Sequence, residues 1–434
     1  MIPLETADAA VAELWRRSRS ERSSATLLLR AYFKEHELKP RQQKRIKERF
    51  HRLLAGRTCI DAALEVAAPA GIVESLEGPV RVLTSRVLDG ELSAKEASRA
   101  LAWIDWKRVA TFTASIEAIE DPVRRVEVAA SLPRWLAARI VDRFGDEAMA
   151  LARALAGKAP LTLRVNTLRC TVDACRASLE REGIRTRKVD HAQHGLEVLG
   201  LAQLFRSWAF QHGYFEMQDE ASQLVAELVA PPPGGLVVDA CAGAGGKTLA
   251  LAALMEGRGT LVALDVSSSR LEELRRRARR AGVQNLRVLK IAADSFSDEV
   301  EALLGKADRV LIDAPCSGIG SLRRNPDMRD RLFDGEGEVT RLQAIQGELC
   351  RRVARRLAPR ARLVYATCTV LAEENHACLE RVLAEHPELE VVRVAEVLGA
   401  ARSAPFTDAS GTWLETFPHR QGCDGFFAGV LRKR

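Results

Sequence analysis

Hydrophobic positions recur with the spacing of an α-helix in the first third of the chain. Ile46, Phe50, Leu53 and Leu54 follow one another at i, i+4, i+7 and i+8, which places their side chains on one helix face. Short patterns rich in Ala, Leu and Arg continue to about residue 155, with few β-branched runs. The pattern predicts an all-helical domain over residues 1–155.

The pattern changes near Pro160 to one typical of a small α+β domain, which we place at residues 156–230. Residues 161–165 alternate as a strand does, residues 171–182 have a helical pattern, and residues 196–199 predict a second strand. Aromatic rings are concentrated in the same segment, at Phe205, Trp208, Phe210, Tyr214 and Phe215. We expect these rings to pack in the domain core, and stacking on RNA bases is the alternative.

Residues 231–235, with the sequence PPPGG, mark the start of a third domain that we extend to residue 434. Beyond them, short apolar strands alternate with helical segments. The predicted strands lie at 236–239, 260–264, 286–291, 309–312 and 362–366. Apolar strands that alternate with helices are typical of a parallel sheet covered on both faces, so the pattern predicts an α/β fold.

The composition excludes several classes of protein. The chain has 434 residues, of which 47% are hydrophobic and 28% are charged, as in an ordinary globular protein. Its nine cysteines form no CxxC pair, and no histidine–cysteine cluster has zinc spacing, so we expect neither a disulfide framework nor a metal site. No apolar run approaches the roughly 20 residues of a membrane span, and the first residues do not resemble a signal peptide. We expect a cytoplasmic, monomeric protein without a membrane segment.

The net charge of +7 is concentrated at one end of the chain. Residues 1–57 contain fourteen Lys and Arg against seven Asp and Glu, which accounts for the whole excess. Six cations surround the apolar stripe of the predicted helix, namely Arg41, Lys44, Arg45, Lys47, Arg49 and Arg52. We name Lys44 and Arg45 as candidate RNA contacts, and a solvated helix face without an RNA role is the alternative.

A glycine-rich loop follows the first predicted strand of the α/β domain. Residues 240–248 have the sequence ACAGAGGKT. Such a loop between a strand and a helix lets the backbone approach a ligand closely. The final GKT suggests a nucleotide-triphosphate loop, but that motif requires a glycine where Cys241 stands, so an ATPase is disfavoured.

Acidic residues follow the other predicted strands. Asp265 ends the second strand, Asp294 comes just after the third, and Asp313 ends the fourth. Asp265 lies 19 residues past Gly246, a position suited to binding a ribose diol. Because carboxylates repel phosphates, the loop and the acids together indicate an adenosine-containing ligand without phosphates, and S-adenosylmethionine fits this description.

Two cysteines lie at the carboxyl ends of neighbouring predicted strands, on the side of the expected ligand. Cys316 follows the fourth strand in DAPCSG, and Cys368 follows the fifth in YATCT. Most other cysteines of the chain are expected to be small buried hydrophobes. Two thiols beside a cofactor pocket are candidates for nucleophilic catalysis.

These motifs resemble those of the Nop/Sun family of RNA 5-methylcytosine methyltransferases. The resemblance covers about residues 160–434 and rests on LRVNT, QDEAS, CAGAGGKT, ALDVS, LIDAPCSGIGSLRRNPD, YATCTV followed by EN, and HRQGCDGFFAGVLRK. The first domain is similar to the NusB-like domain of the RsmB-like branch, which methylates small-subunit rRNA. The resemblance implies a Rossmann-like class I S-adenosylmethionine-dependent methyltransferase domain, preceded by a small α+β RNA-binding domain and an all-α NusB-like domain.

The resemblance also implies catalytic roles. By it, Cys368 is the nucleophile that adds to carbon 6 of cytosine and makes carbon 5 able to accept a methyl group. Asp313 hydrogen-bonds the base, and Cys316 acts in the release step. DNA cytosine methyltransferases use the cysteine of a Pro-Cys pair as the nucleophile instead, which would be Cys316 here.

Binding residues are implied in the same way. The methionine part of the cofactor would be held by Cys241, Ala242, Gly243, Ala244, Gly245, Gly246 and Lys247. Asp265 would bind the ribose and Asp294 the adenine amine, with Asp313 beside them. Arg323 and Arg324 would hold RNA phosphates near a flipped base, and a solvated loop is the alternative.

The predicted function is therefore methyl transfer from S-adenosylmethionine to a cytosine of 16S small-subunit rRNA, free or in a pre-ribosomal particle. A tRNA cytosine-5 methyltransferase with the same catalytic half is one alternative. A non-catalytic RNA-binding protein of ribosome assembly is the other.

Overall fold

The computed structural model describes residues 5–21, 23–69, 77–200, 202–325, 328–329, 332 and 335–434. By their contacts the residues form two compact units. The first comprises Met1–Lys158 and Leu322–Glu336, and the second comprises Ala159–Ser321 and Gly337–Arg434. In the described parts of the chain, no helix is long and apolar enough to cross a membrane.

The first unit is helical, as its sequence pattern predicts. Its α-helices are Thr6–Ser20, Ala25–Glu35, Pro40–Ala55, Arg57–Ala67, Glu77–Leu88, Ala94–Ala100, Trp106–Ser115, Pro122–Ala130, Arg134–Phe144 and Ala148–Ala156. The predicted apolar stripe lies on the third of these helices and is buried. It packs in one core with Leu14, Trp15 and Trp106.

Part of the positive charge of this unit is paired inside it. Arg49, which the sequence pattern placed on the helix surface, is only 7% exposed and donates to Asp8 Oδ1 at 2.5 Å. Arg86 donates to Asp8 Oδ2 at 2.6 Å. Because Asp8 is itself buried, its charge needs cationic partners, and Arg49 is drawn inward.

The segment Leu322–Glu336 belongs to the helical unit although the chain on both sides of it belongs to the other unit. Arg329 is buried and donates to the carbonyl oxygens of Ala130 and, at 2.7 Å, Leu155. Trp135 Nε1 donates to the carbonyl oxygen of Leu332 at 2.9 Å. Nothing in the local sequence pattern indicated that this segment joins the first unit, because the residues it contacts are far away along the chain. We call the segment Leu322–Glu336 the excursion.

The second unit begins with a small antiparallel sheet in the order β2-β3-β1-β4. Its strands are β1 Thr162–Val165, β2 Thr186–Lys188, β3 Gly195–Val198 and β4 Phe215–Met217, with helices Val172–Arg181 and Trp208–Gln211. The two predicted strands and the predicted helix of this segment are confirmed. β2 and β4 are only three residues long, and the sequence pattern did not indicate them.

A larger sheet follows in the order β10-β12-β9-β8-β5-β6-β7, and β11 pairs with β12. Its strands are β5 Leu236–Asp239, β6 Thr260–Asp265, β7 Leu286–Lys290, β8 Arg309–Asp313, β9 Arg362–Thr367, β10 Leu389–Val392, β11 Leu414–Thr416 and β12 Phe426–Lys433. β5 to β9 pair in parallel, whereas β12 lies antiparallel between β9 and β10. The predicted α/β fold with a parallel sheet is confirmed.

Helices complete this unit on both faces of the larger sheet. They are Glu220–Val229, Gly246–Leu254, Ser268–Ala281, Asp298–Leu304, Glu336–Arg356, His376–Glu385, Val394–Leu398 and Ala400–Ser403. Two hydrophobic clusters divide the strand side chains, one containing Val237, Leu261 and Val364, the other Val238 and Val262. Successive residues of one strand thus enter different cores, which explains the near-continuous apolar runs of β5 and β6.

The strand order shows at which edge of the sheet a ligand-binding crevice lies. β5 has β6 on one side and β8 on the other, so the connections leave it in opposite directions. The carboxyl ends of parallel strands diverge from such a switch point and leave a crevice there. The glycine loop follows β5 directly, at this crevice.

Candidate active site

The glycine loop is shaped by contacts that only small residues permit. Gly243 and Gly245 have positive φ values of 54° and 89°. A Cβ on Gly245 would lie 2.1 Å from Leu274 Cδ1, whereas a Cβ on Gly243 would meet no atom within 4 Å. Gly245 therefore allows the loop to pack against the next helix, and Gly243 leaves open space in front of the backbone.

Asp265 holds this loop from the end of β6. Its Oδ2 accepts the Gly243 N–H at 2.8 Å, and its Oδ1 accepts the Ser267 N–H at 2.8 Å. The side chain is 7% exposed. Each carboxylate oxygen keeps a second lone pair, so the pair of oxygens fits the two hydroxyls of a ribose.

The loop, the strand-end acids and the two cysteines surround one cavity of about 1140 Å³. Its lining contains each predicted cofactor residue except Gly245, and each predicted catalytic residue. Apolar side chains, including Val266, Phe296 and Leu349, line it together with Asp294. Drug-sized ligands occupy pockets of roughly 300–1,000 Å³, so the cavity has room for S-adenosylmethionine and part of a second molecule.

Lys247 and Asp313 form an ion pair in this cavity, with Nζ 2.7 Å from Oδ2. Lys247 also lies over the ring of Phe426 at 4.8 Å from its centroid. Burial lowers the pKa of Lys247, but the charge and hydrogen bond of Asp313 outweigh burial, and the net pKa is raised. Lys247 is thus held as a cation that fixes one Asp313 oxygen and leaves the other available.

Cys316 and Cys368 are neighbours, with their sulfur atoms 3.4 Å apart. The Cys368 backbone N–H also donates to Cys316 Sγ at 3.3 Å. The hydrogen bond between the thiols lowers the pKa of Cys368, against burial, and the same bond together with burial raises the pKa of Cys316. Cys368 is therefore the thiol better stabilised as a thiolate, and Cys316 the one that keeps its proton.

A buried carboxylate that sequence reasoning did not single out ties the two cysteine loops together. Glu374 is fully buried and accepts the Ser317 N–H at 2.8 Å and Gln346 Nε2 at 2.9 Å. The Ser317 hydroxyl contacts both Glu374 and, at 2.8 Å, the Thr369 hydroxyl. Ser317 follows Cys316 and Thr369 follows Cys368, so Glu374 sets the spacing of the two thiols. The dipeptide Glu-Asn at 374–375, shortly after YATCTV, was the sequence signal that could have identified Glu374.

Asp239, at the end of β5, is a second carboxylate that the sequence did not single out. It is 1% exposed, and its Oδ2 accepts the Thr248 hydroxyl at 2.7 Å. Among the described residues, its Oδ1 has no hydrogen-bond partner. Burial raises the pKa of Asp239 to about 7.

A cation on the neighbouring helix braces the glycine loop from behind. Arg277 donates to the carbonyl oxygen of Ala244 at 2.7 Å and pairs with Glu216 of β4 at 3.0 Å. Arg280 contacts the other oxygen of Glu216, which is 3% exposed. The small sheet and the cofactor loop are therefore joined through one buried carboxylate, which the periodicity of the sequence did not indicate.

The four residues predicted to bind RNA lie outside this cavity. Arg323 and Arg324 are half-buried and belong to the helical unit, while Pro326 and Asp327 of the same motif fall outside the described residues. Lys44 and Arg45 lie on the helix Pro40–Ala55, where the Lys44 side chain is 76% exposed and Arg45 pairs with Glu5 at 2.9 Å.

The aromatic residues of the small domain divide into two groups. Phe215 is fully buried, and Phe210 and Tyr214 pack against the same core, as expected. Phe205 and Trp208 are 65% and 48% exposed, and the Trp208 ring stacks on His212 at 3.8 Å. The expectation of core packing therefore holds for three of the five rings.

Two family models match the chain. The model described as 16S rRNA methyltransferase RsmB/F matches residues 226–432. The model of the ferredoxin-like domain of RsmF/B-like methyltransferases matches residues 132–202. The first match spans the strands of the larger sheet up to residue 432, and the second spans β1, β2 and β3 of the small sheet together with the last helices of the first unit.

A curated relative and two solved structures are similar to the chain. The "Probable ribosomal RNA small subunit methyltransferase B" of Bacillus subtilis is 33% identical over 325 residues, which cover 74% of this chain and 70% of that protein. The methyltransferase homolog protein from Pyrococcus horikoshii is 25% identical, with a TM-score of 0.61 over 73% of this chain and 100% of that one. NSun6 from Pyrococcus horikoshii, solved with SFG, has the same fold at 21% identity, with a TM-score of 0.58 over 68% of this chain and 96% of that one. The chain belongs to the RsmB/F family of rRNA methyltransferases and uses S-adenosylmethionine as methyl donor.

Proposed function

We propose that the protein methylates carbon 5 of a cytosine in 16S small-subunit rRNA through a covalent adduct with Cys368. The observation that carries the proposal is the contact between Cys316 and Cys368, 3.4 Å apart, in the cavity that Asp313 and the glycine loop also line. One thiol suffices to form an adduct. A second thiol in contact with it suits a reaction that must also release the adduct.

Cys368 is the nucleophile in this scheme. Its sulfur adds to carbon 6, and the electron pair of the 5,6 double bond moves towards N3 and the carbonyl oxygen, which leaves carbon 5 nucleophilic. The lowered pKa of Cys368, caused by the hydrogen bond with Cys316 and opposed by burial, supports this role.

Asp313 orients the base and stabilises the charge that develops on it. Lys247 holds one Asp313 oxygen at 2.7 Å, and because Asp313 lines the cavity, its other oxygen can accept from the exocyclic amine. A fixed carboxylate in a partly water-excluded cavity stabilises developing charge better than a mobile one.

Bound S-adenosylmethionine supplies an electrophilic methyl group. Asp265 would bind its ribose hydroxyls, residues 241–247 would surround its methionine part, and the exposed Asp294 would accept from its adenine amine. After methyl transfer the carbon 5 proton passes to a water molecule in the cavity, its bonding electrons restore the 5,6 double bond, and Cys368 departs as a thiolate that accepts a hydrogen bond from the protonated Cys316. Cys316 acts in this release step from its place beside Cys368.

The RNA is held by cations outside the cavity. We assign Arg323 and Arg324 to phosphates near the flipped base, and Lys44 and Arg45 to other phosphates of the RNA. The name of the family model and of the Bacillus subtilis relative supports 16S rRNA rather than tRNA as the substrate.

The test uses single cysteine variants with S-adenosylmethionine and unmodified 16S rRNA. Cys316→Ala should accumulate a protein–RNA adduct that survives denaturing electrophoresis, because release is impaired. Cys368→Ala should form no adduct and lose methyl transfer by at least about 10³-fold, as expected for a missing nucleophile. Cys170→Ala, which removes a half-buried thiol of the small domain, is the matched control and should behave as wild type.

The opposite pattern, an adduct in Cys368→Ala and none in Cys316→Ala, would reverse the two roles. Bisulfite sequencing of the product tests the position of the methyl group. A tRNA mixture offered in parallel tests the substrate, and preferential methylation of tRNA would contradict the rRNA assignment.

A further inference from the structure

A row of arginines crosses the edge of the sheet opposite to the cysteines. Arg309 begins β8, Arg362 begins β9, and Arg432 lies near the end of the antiparallel β12. Arg309 is in register with Arg362, and Arg362 with Arg432. Residues in register on neighbouring strands point to the same face of a sheet, so the three side chains stand side by side. We call Arg309, Arg362 and Arg432 the arginine row.

Further cations surround the arginine row. A surface cavity of about 460 Å³ is lined by the row together with Arg360, Lys433, Arg434 and Glu390. Glu390 is in register with Arg432 and pairs with it at 2.5 Å and with Arg434 at 3.4 Å. The lining thus has six cationic side chains and one carboxylate, and that carboxylate stands at one end of the row.

The centre of the row is not neutralised by the protein. Within the ranges that the structure describes, the side chains of Arg360 and Arg362 have no hydrogen-bond or ion-pair partner. Arg309 uses its guanidinium on the carbonyl oxygens of Ala230 and Asp308. Burial and the neighbouring charge of Arg362 lower the pKa of Arg309, and Asp308 offsets this only in part.

Like charges directly opposite each other on neighbouring strands destabilise a sheet. The arginine row keeps three half-buried guanidinium groups in register, beside a cavity that water and ions can enter. A bound polyanion would remove the repulsion and give the guanidinium groups of Arg360 and Arg362 the hydrogen-bond acceptors that they lack. Phosphodiesters match this requirement, since guanidinium groups bind phosphate oxygens in pairs.

We propose that the arginine row and the cavity beside it form a second RNA-binding surface, which holds backbone phosphates of the rRNA away from the target base. β9 runs six residues from Arg362 to Thr367, so the row lies roughly 20 Å from the cysteines at the other end of the same strands. An RNA that contacts both edges must be folded around this unit. The surface therefore favours structured rRNA over a short single strand, and it rests on the RNA substrate proposed above.

Two charge-matched double variants test this surface. R360Q/R362Q removes two cations of the proposed surface. The control, R276Q/R341Q, removes two exposed arginines elsewhere in the same unit, each of which pairs with an acidic residue three positions earlier. Binding of 16S rRNA transcript is measured by filter binding over a salt series. R360Q/R362Q should bind roughly tenfold more weakly at low salt. Its plot of log binding constant against log salt should be shallower by roughly 1.4–1.8, the loss of two phosphate contacts.

Further measurements distinguish RNA binding from folding and from catalysis. R360K/R362K keeps both charges and should retain most of the wild-type salt slope. The melting temperature of R360Q/R362Q should equal or exceed that of wild type, because repulsion is relieved. Its kcat with saturating RNA and its affinity for S-adenosylmethionine should be unchanged, while KM for the long transcript rises.

Equal salt slopes for R360Q/R362Q and R276Q/R341Q would overturn the proposal, even if the cavity beside the arginine row then binds another anion. The same holds if R360Q/R362Q melts lower than wild type and loses RNA binding only in proportion to its unfolding. Failure of the cytosine-5 assignment is a separate result, since it would be seen as wild-type enzyme that binds the transcript without methylating carbon 5.

Discussion

The two edges of the larger sheet are built from the same strands but are organised in opposite ways. At the carboxyl edge, the buried Lys247 pairs with Asp313, and the buried Glu374 accepts from Ser317. At the amino edge, the side chains of the exposed Arg360 and the half-buried Arg362 have no partner among the described residues. Catalysis requires side chains that are fixed in place before the substrate binds. Binding of a polyanion requires cationic side chains that remain accessible to its phosphates.

The strongest test of this contrast is the removal of Glu374, which touches neither cysteine sulfur. Glu374→Ala deletes the acceptor that joins the two cysteine loops, so the thiols should lose their spacing. We expect kcat to fall about 10²-fold, the usual scale for misplaced catalytic groups, with little change in the affinity for S-adenosylmethionine. Single-turnover methyl transfer and calorimetry measure the two quantities.

A readout beyond activity separates positioning from general damage in Glu374→Ala. The charge of Glu374 raises the pKa of Cys368, so its removal should move the pH dependence of adduct formation towards lower pH. Glu380→Ala, a substitution on the helix that follows, is the control. An unchanged pH profile with a uniform loss of folded protein would mean that Glu374 is only structural.

A smaller effect is expected for Asp265→Ala, which acts on binding rather than on chemistry. The variant loses the hydrogen bonds to Gly243 and Ser267 and the proposed contacts to the ribose. Hydrogen bonds to a charged group contribute roughly 1.5–3 kcal/mol, so the affinity for S-adenosylmethionine should fall about 10- to 150-fold by calorimetry. Asp298→Ala, at an exposed helix start, is the control, and equal affinities in the two variants would remove Asp265 from the cofactor site.

Asp239 is the exception at the carboxyl edge and offers the smallest and most specific test. Burial raises its pKa to about 7, above the value near 4 of an unfolded chain. The folded state therefore binds an extra proton between about pH 4 and pH 7, and the stability that this gives is lost as the pH rises through 7.

Asp239→Asn should remove this pH dependence. The amide can still accept from the Thr248 hydroxyl, and it carries no buried charge. We expect the variant to be more stable than wild type above pH 7, by up to a few kcal/mol, with the difference shrinking towards pH 4. Urea unfolding at pH 5 and pH 8 measures it, and a gain that is equal at both pH values would contradict the assignment.

Local pattern was sufficient for the parts of the fold whose signal lies within one element. The five parallel strands, the glycine loop and the acids at strand ends were predictable because apolar runs and loop chemistry are properties of consecutive residues. The same acids, once placed at one sheet edge, define the cavity. Asp265 and Asp313 were found in this way, by position alone.

Features that depend on distant partners could not be predicted from the sequence. Glu374 looks like any acid near a helix start until the fold brings Ser317 and Gln346 to it. β12 is a continuous apolar run whose place between β9 and β10 is set by long-range pairing. Arg49 shows the same limit, since only the buried Asp8 explains why a cation of an amphipathic helix turns inward.

The excursion Leu322–Glu336 has a consequence for the order in which the chain can fold. During synthesis the residues of the helical unit are made first. The hydrogen bonds from Arg329 to the carbonyl oxygens of Ala130 and Leu155 cannot form until Arg329 has been synthesised. That residue leaves the ribosome only after all of Ala159–Ser321 has been made. The first unit therefore finishes folding after much of the second has been synthesised, and a stop or a cut between the two units leaves the first one incomplete.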